Sequence, residues 1–138
     1  MSNIEAAVKN RMDVAAIQAL TTDIQPSVPE EDNVSRIAWV RWDIADTERI
    51  AQTLNGSGRV IETEVFFDVF ARNVKSPAQF GYVKAAAIAA EIITAIEDIQ
   101  GTFGGIKVRS VRVRERDAVE PEPGAYHRIV ESRWQWYR

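Results

Sequence analysis

The stretch YHRIVESRWQWYR, residues 126–138, decides the predicted fold. One face of its two-residue repeat carries Tyr126, Val130, Trp134 and Trp136, as expected for a half-buried β-strand. Two of the chain's four tryptophans lie here. Because chain termini fray unless they are tied down, a terminal strand this rich in large apolar side chains should be paired in a sheet. We therefore expect Trp134 and Trp136 in the core, packed against a helix.

Two further strands are predicted upstream of this one. RIAWVRWDI (residues 36–44) and VIETEVFFDVFA (residues 60–71) are rich in β-branched and aromatic residues. Between them, Asn55-Gly56-Ser57-Gly58 supplies the residues that a hairpin tip needs. Residues 45–59 are more polar than the rest. The pattern therefore predicts a long hairpin whose distal arm projects from the body.

Helices and a fourth strand complete the expected layout. Ser76-Pro77 is a typical helix start, and an alanine-rich apolar stripe that includes Ile88 and Ile92 continues to about residue 100. Residues 106–116 alternate with a change of parity, which a β-bulge near Arg109-Ser110 would correct. We expect one α+β domain over residues 1–138, with a small mixed or antiparallel sheet of about four strands packed against helices. The expected structural core is Trp134, Trp136, Val130, Ile88 and Ile92.

Composition limits the classes of function. The 138 residues include no cysteine, which excludes disulfides, thiol catalysis and cysteine-rich zinc sites. The net charge of −3 provides no global field for nucleic acid or an anionic membrane. The longest run of alanine and isoleucine, residues 85–90, is too short to span a bilayer. The composition is typical of a single soluble domain.

No catalytic, metal or cofactor site is predicted. His127 is the only histidine, so an acid–base pair or a metal site would have to be built around it alone. Glu62, Glu64 and Asp68 alternate along one strand, but a calcium site also needs a tight loop of oxygen ligands. A solvated sheet face explains these acids better. We therefore expect that the protein is not an enzyme and needs no cofactor.

Three groups of residues are candidate interaction sites. Phe66 and Phe70 lie opposite the main apolar face and form either an interface or a minor core. Glu48 and Arg49 lie in the arm, which we expect to contact neighbouring copies or a partner. A basic stripe forms the third group: Lys107, Arg109, Arg112, Arg114 and Arg116. This stripe could contact DNA phosphates or an acidic partner, or its arginines could pair with acids such as Glu131 and Glu115.

The order of these features resembles that of a known family. It comprises a short N-terminal helix with a helical turn at residues 13–20, the exit Ile24-Gln25-Pro26, the strands RIAWVRW and VIETEVFFDVFA, Ser76-Pro77 with its alanine-rich helix, and the closing YHRIVESRWQWYR. Over nearly its full length the chain resembles the tail terminator, or tail completion, proteins of long-tailed bacteriophages. The proline that usually precedes the first strand in that family is absent at Ser35-Arg36-Ile37.

The resemblance implies a structural virion protein at the head–tail junction, assembled in the host cytoplasm. It implies a homo-oligomeric ring, usually a hexamer, that caps the tail tube and ends its polymerisation. Its partners would be the tail tube protein and the head-side connector or stopper. DNA would pass through the ring without specific binding, and no membrane is involved. The alternatives are another neck, tube or adaptor ring protein of a phage-like particle, or a small nucleic-acid-binding module.

Overall fold

A computed structural model describes residues 4–28, 35–52, 58–75, 78–118 and 124–138, with only the backbone described for residues 46–52. The helices are α1 (Glu5–Met12), α2 (Ala15–Gln18) and α3 (Gly81–Ile96). The strands are β1 (Ile24–Pro26), β2 (Ala38–Gln52), β3 (Arg59–Arg72), β4 (Val74–Lys75), β5 (Ala78–Gln79), β6 (Gly101–Phe103), β7 (Ile106–Asp117) and β8 (Ala125–Tyr137).

The main sheet has six strands in the order β1-β2-β3-β8-β7-β6. β1 is parallel to β2, and the other neighbours are antiparallel. The prediction of a small sheet of about four strands packed against helices is wrong. Most residues in the described part of the chain are in strands, and the main sheet curls into a half-barrel accompanied there by three short helices. β1 and β6 have three residues each, too few to show a two-residue repeat in the sequence.

The hairpin arm does not project. β3 pairs with β2 on one side and, from Val60 to Arg72, with β8 on the other. The limb at residues 59–64 is therefore an internal part of the sheet. The hairpin tip, residues 53–57, lies outside the described residues.

The predicted long helix is shorter than the sequence indicates, because α3 begins later and ends at Ile96 rather than near residue 100. Ser76 and Pro77 lie outside the described residues, but Ala78 and Gln79 pair with Lys75 and Val74 as a small two-stranded ladder. α3 starts only at Gly81, where the backbone N–H of Gly81 donates to Asn73 Oδ1 at 2.8 Å. Among the described residues, none of the helices is long and apolar enough to cross a membrane.

The core lies between the helices and one face of the sheet, which we call the inner face. Trp134, Trp136 and Val130 of β8 are buried there with Ile88 and Ile92 of α3. The predicted bulge is confirmed, because the register between β7 and β8 shifts between Val108 and Ser110. This shift brings the apolar residues on both sides of it onto the inner face: Ile106, Val108 and Val111.

Two small polar side chains on the inner face accept hydrogen bonds from the buried tryptophans of β8. Trp134 Nε1 donates to Ser132 Oγ at 2.8 Å, and Ser132 Oγ donates to the carbonyl oxygen of Val65 at 2.8 Å. Trp136 Nε1 donates to Thr63 Oγ1 at 3.0 Å. Since a buried indole N–H without a partner is destabilising, Ser132 and Thr63 stabilise the burial of the two β8 tryptophans.

Candidate functional site

The opposite face of the sheet, which we call the outer face, carries most of the sequence-predicted interaction residues. Along β3, buried inner-face residues alternate with half-buried outer-face residues, and the latter include Glu62, Glu64, Phe66 and Asp68. The register between β3 and β8 places Glu131 and Arg133 on the same outer face. This alternation arises because successive residues of a strand point to opposite sides of the sheet.

Charge on the outer face is separated across the sheet. On the β2 side, the register sets Asp43 opposite Phe66, Asp46 opposite Glu64 and Glu48 opposite Glu62. On the β7 side, Arg112 lies opposite Arg133 and Arg114 opposite Glu131. Among the described side chains, the face therefore changes from acidic at Asp43 and along β3 to basic along β7.

Ion pairs join the middle of the outer face. Arg133 contacts Glu64 at 2.8 Å and Glu62 at 3.6 Å. Arg116 Nε donates to Glu131 Oε1 at 2.6 Å, so this arginine of the basic stripe has a carboxylate in its own subunit. These pairs offset only part of the central negative charge, because Arg133 alone serves both Glu62 and Glu64.

Arg112 and Arg114 differ from Arg116. Both are exposed, and neither makes an ion pair among the described residues. Arg112 faces Arg133, a like charge across the ladder, and like charges directly opposite each other are destabilising. The basic edge of the outer face is thus incompletely compensated within the described part of one subunit.

Phe70 belongs to a minor core of the subunit. It is only 8% exposed and stacks on Trp39 at 5.0 Å and on His127 at 4.2 Å between ring centroids. Arg72 lies 5.2 Å above the Trp39 ring and covers it further. Of the two readings from the sequence, the minor core describes Phe70. The interface role expected of Phe70 has little accessible surface to support it.

Phe66 remains accessible. It is half-buried and borders a cleft of about 180 Å³ on the outer face, together with Arg112, Arg114 and Arg133. It therefore stays a candidate contact residue, whereas Phe70 does not.

Glu48 and Arg49 lie in the distal part of β2. Their backbone positions pair with Glu62 and Ile61 of β3. Their side chains lie outside the described residues. Since the predicted arm is part of the sheet, these two positions belong to a sheet edge rather than to a projection.

His127 is held in place by its neighbours. Its Nε2 lies 2.7 Å from Asp68 Oδ1, and its ring stacks on Phe70. Within the described ranges, no group of three or more histidine, cysteine, aspartate or glutamate side chains could hold a metal ion. Sequence reasoning missed the Trp39–Phe70–His127 cluster because the cluster depends on strand register. The spacing of Trp39 and Phe70 about the predicted hairpin tip carried no signal, because two register shifts, at Ile44/Asp46 and Arg49/Ala51, make the two strands unequal.

No protein-family model matches the chain, and no curated protein matches it by sequence. A solved structure shares its fold. That structure is described as the virion of a native gene transfer agent particle, and one of its chains is similar over 96% of this chain and 93% of its own length. The TM-score is 0.68 and the sequence identity is 15%. At this identity the similarity shows the fold alone.

Proposed function

We propose that this protein is a structural component of a phage-like particle, and that it forms the ring that ends the tail tube. The observation that carries the proposal is the shared fold with a chain of a gene transfer agent virion, which extends over nearly all of both chains. The sequence order that resembles tail terminator proteins supports the narrower role.

The outer face supports assembly with other copies. An acidic side and a basic side of one sheet are complementary to each other, and complementary charges favour one orientation of two copies over the others. A contact between two different surfaces of the same protein closes into a ring when the rotation between copies divides a full turn. We propose that the ring is a hexamer.

We propose a structural rather than an enzymatic role. The one histidine of the sequence is engaged with Asp68 and stacked on Phe70, an arrangement suited to holding the minor core together. The tail tube protein and a head-side connector are the proposed partners, and the head–tail junction of the virion is the proposed location. DNA would pass through the ring without specific binding.

Tube growth provides the test. The purified chain would be added to polymerising tail tube protein from its own particle, and tube length and label position would be measured by electron microscopy. The proposal predicts gold-labelled protein at one end of each tube and tubes that stop growing there. Label along the whole tube would identify a tube subunit instead. Tubes that carry no label and keep growing would favour a neck or adaptor protein instead.

A further inference from the structure

Two strand edges of the main sheet are open in the described part of the chain, one on each side of the sheet. β1 covers β2 only at residues 40–42, and β6 covers β7 only at residues 106–108. In the described part of the chain, no strand pairs with the outer side of residues 43–52 or of residues 109–117. We call these segments the β2 edge and the β7 edge.

Backbone hydrogen bonds show which groups of the β7 edge are available. Asp98 N donates to the carbonyl oxygen of Val111 at 3.1 Å, so the polar backbone groups of Val111 point away from β8. Because this direction repeats every second residue, those of Val113, Glu115 and Asp117 point outward as well. These three residues have no backbone partner on that side among the described residues. They form a template for one more strand.

The β2 edge is the second strand edge whose backbone groups are available for pairing. Val40 N donates to the carbonyl oxygen of Asp23 at 2.9 Å, and Ser27 N donates to that of Trp42 at 3.0 Å. The outward side of β2 is therefore already used for pairing up to Trp42. Beyond Trp42, neither β1 nor Ser27 covers β2, and the open β2 edge continues to Gln52.

The two edges carry opposite charge. DIADTERIAQ, residues 43–52, has three acids and one arginine, whereas RSVRVRERD, residues 109–117, has four arginines and two acids. Pairing of two β2 edges would oppose acid to acid, and pairing of two β7 edges would oppose arginine to arginine. Both of these two-fold arrangements are disfavoured because like charges across a ladder repel. Only the pairing of β7 with β2 joins opposite charges.

Strand direction permits the same pairing in a ring. The four long strands β2, β3, β8 and β7 alternate in direction. Because four is an even number, identically oriented copies placed side by side set β7 of one copy antiparallel to β2 of the next.

The two edges also share rows of the sheet. Asp43 is level with Arg114, through Phe66 and Glu131, and Asp46 is level with Arg112, through Glu64 and Arg133.

We propose that β7 of one copy pairs with β2 of a second copy, and that this head-to-tail β-ladder is the contact that closes the ring. The inference rests on the proposed ring and names the surfaces that build it. Arg112 and Arg114, which make no ion pair among the described residues of their own chain, then lie beside the acidic positions 43, 46 and 48 of the next copy. Main-chain hydrogen bonds supply affinity and the charges fix the orientation, as in other strand additions.

Reciprocal charge reversal tests the pairing. The variant Arg112→Glu/Arg114→Glu and the variant Asp43→Arg/Asp46→Arg should each lose the oligomer in native mass spectrometry. Both pairs of changes combined in one chain should restore it. Mixing the two deficient variants should also restore it, because each then offers the edge that the other lacks. Lys107→Glu/Arg138→Glu makes the same change in net charge outside the two open edges, since β6 covers β7 at Lys107 and Arg138 follows β8, and it should assemble normally.

A backbone variant separates the ladder from the charges. Val113→Pro removes an outward N–H of β7 in the row of Ile44, through Ser132 and Val65, and leaves the bonds to β8 intact, as proline does at a free sheet edge. We expect it to abolish the oligomer, whereas Val113→Ala, which loses the side chain but keeps the N–H, should retain it. Circular dichroism and melting curves would verify that both variants fold.

The outcomes separate this inference from the proposed function. Rings that survive the β7 reversal and the proline variant would overturn edge pairing and leave the ring itself standing. If the reversals weaken only the binding of tail tube protein, the edges contact that partner and the inference is wrong. A wild-type chain that stays monomeric at every concentration also overturns it. Intact rings with the expected edge dependence that never cap a tube would sustain the inference while refuting the proposed function.

Discussion

Ser132→Ala should destabilise the protein far more than the loss of one hydroxyl suggests. Ser132 is 3% exposed and its Oγ takes part in two hydrogen bonds, accepting from Trp134 Nε1 and donating to the carbonyl oxygen of Val65, both at 2.8 Å. Alanine leaves the indole N–H buried without a partner. An orphaned buried group costs about 1–3 kcal/mol, so with the second lost bond we expect about 2–3 kcal/mol in total.

The measurement is thermal and urea unfolding of the wild type, Ser132→Ala, Trp134→Phe and the double variant. For a domain of this size, 1 kcal/mol corresponds to a shift of about 3–4 °C in Tm, so Ser132→Ala should lower Tm by roughly 6–12 °C. Trp134→Phe removes the N–H donor. The double variant should therefore be more stable than the sum of the single effects predicts, by about 1 kcal/mol.

Ser110→Ala is the matched control. Ser110 lies on β7 at the bulge and is half-buried, so its substitution should change stability by no more than about 0.5 kcal/mol. Equal effects of Ser132→Ala and Ser110→Ala, or strict additivity in the cycle, would refute the role of Ser132 as the partner of Trp134.

Two further predictions concern the outer face. Phe70→Ser should destabilise the subunit by about 3 kcal/mol because it opens the stack with Trp39 and His127. Phe66→Ser should cost less than about 1 kcal/mol, also measured by urea unfolding. Equal costs of the two substitutions would contradict the minor core. The wild type should bind duplex DNA only weakly in a gel-shift assay at physiological salt, because Arg116 is neutralised by Glu131 and acids share its face. Tight binding that falls steeply with added salt would favour the nucleic-acid-binding module instead.

The long strands could be predicted because each is long enough to show its repeat. VIETEVFFDVFA alternates over most of β3, and the change of parity at Arg109-Ser110 revealed the bulge of β7. The burial of Trp134 could be expected from the alternation of β8 alone. In these cases one face of a strand must be apolar, and the pattern in the sequence records that requirement directly.

The errors arose where structure depends on contacts between distant segments. β1 and β6 exist because they pair with β2 and β7, and their own sequences show no repeat. The start predicted at Ser76-Pro77 failed because Ala78 and Gln79 pair with Lys75 and Val74. A local capping signal cannot reveal that competing ladder, since helix propensity is overridden by tertiary contacts.

The candidate site, too, could be predicted from the sequence only in part. The arginines of β7 could be assigned to one face from the sequence, and the pairing of Arg116 with Glu131 was among the alternatives considered. The open edges and the separation of charge across the outer face required the strand order, because Asp43 and Arg114 are far apart in the sequence. The position of Phe70 in a minor core likewise required the strand register.

The mass and shape of the wild-type assembly test the central claim most directly. Native mass spectrometry and negative-stain electron microscopy of the purified chain should reveal a closed ring with an axial opening and six times the 15.5 kDa mass of one chain. A monomer at every concentration, or a two-fold dimer that grows no further, would contradict the account.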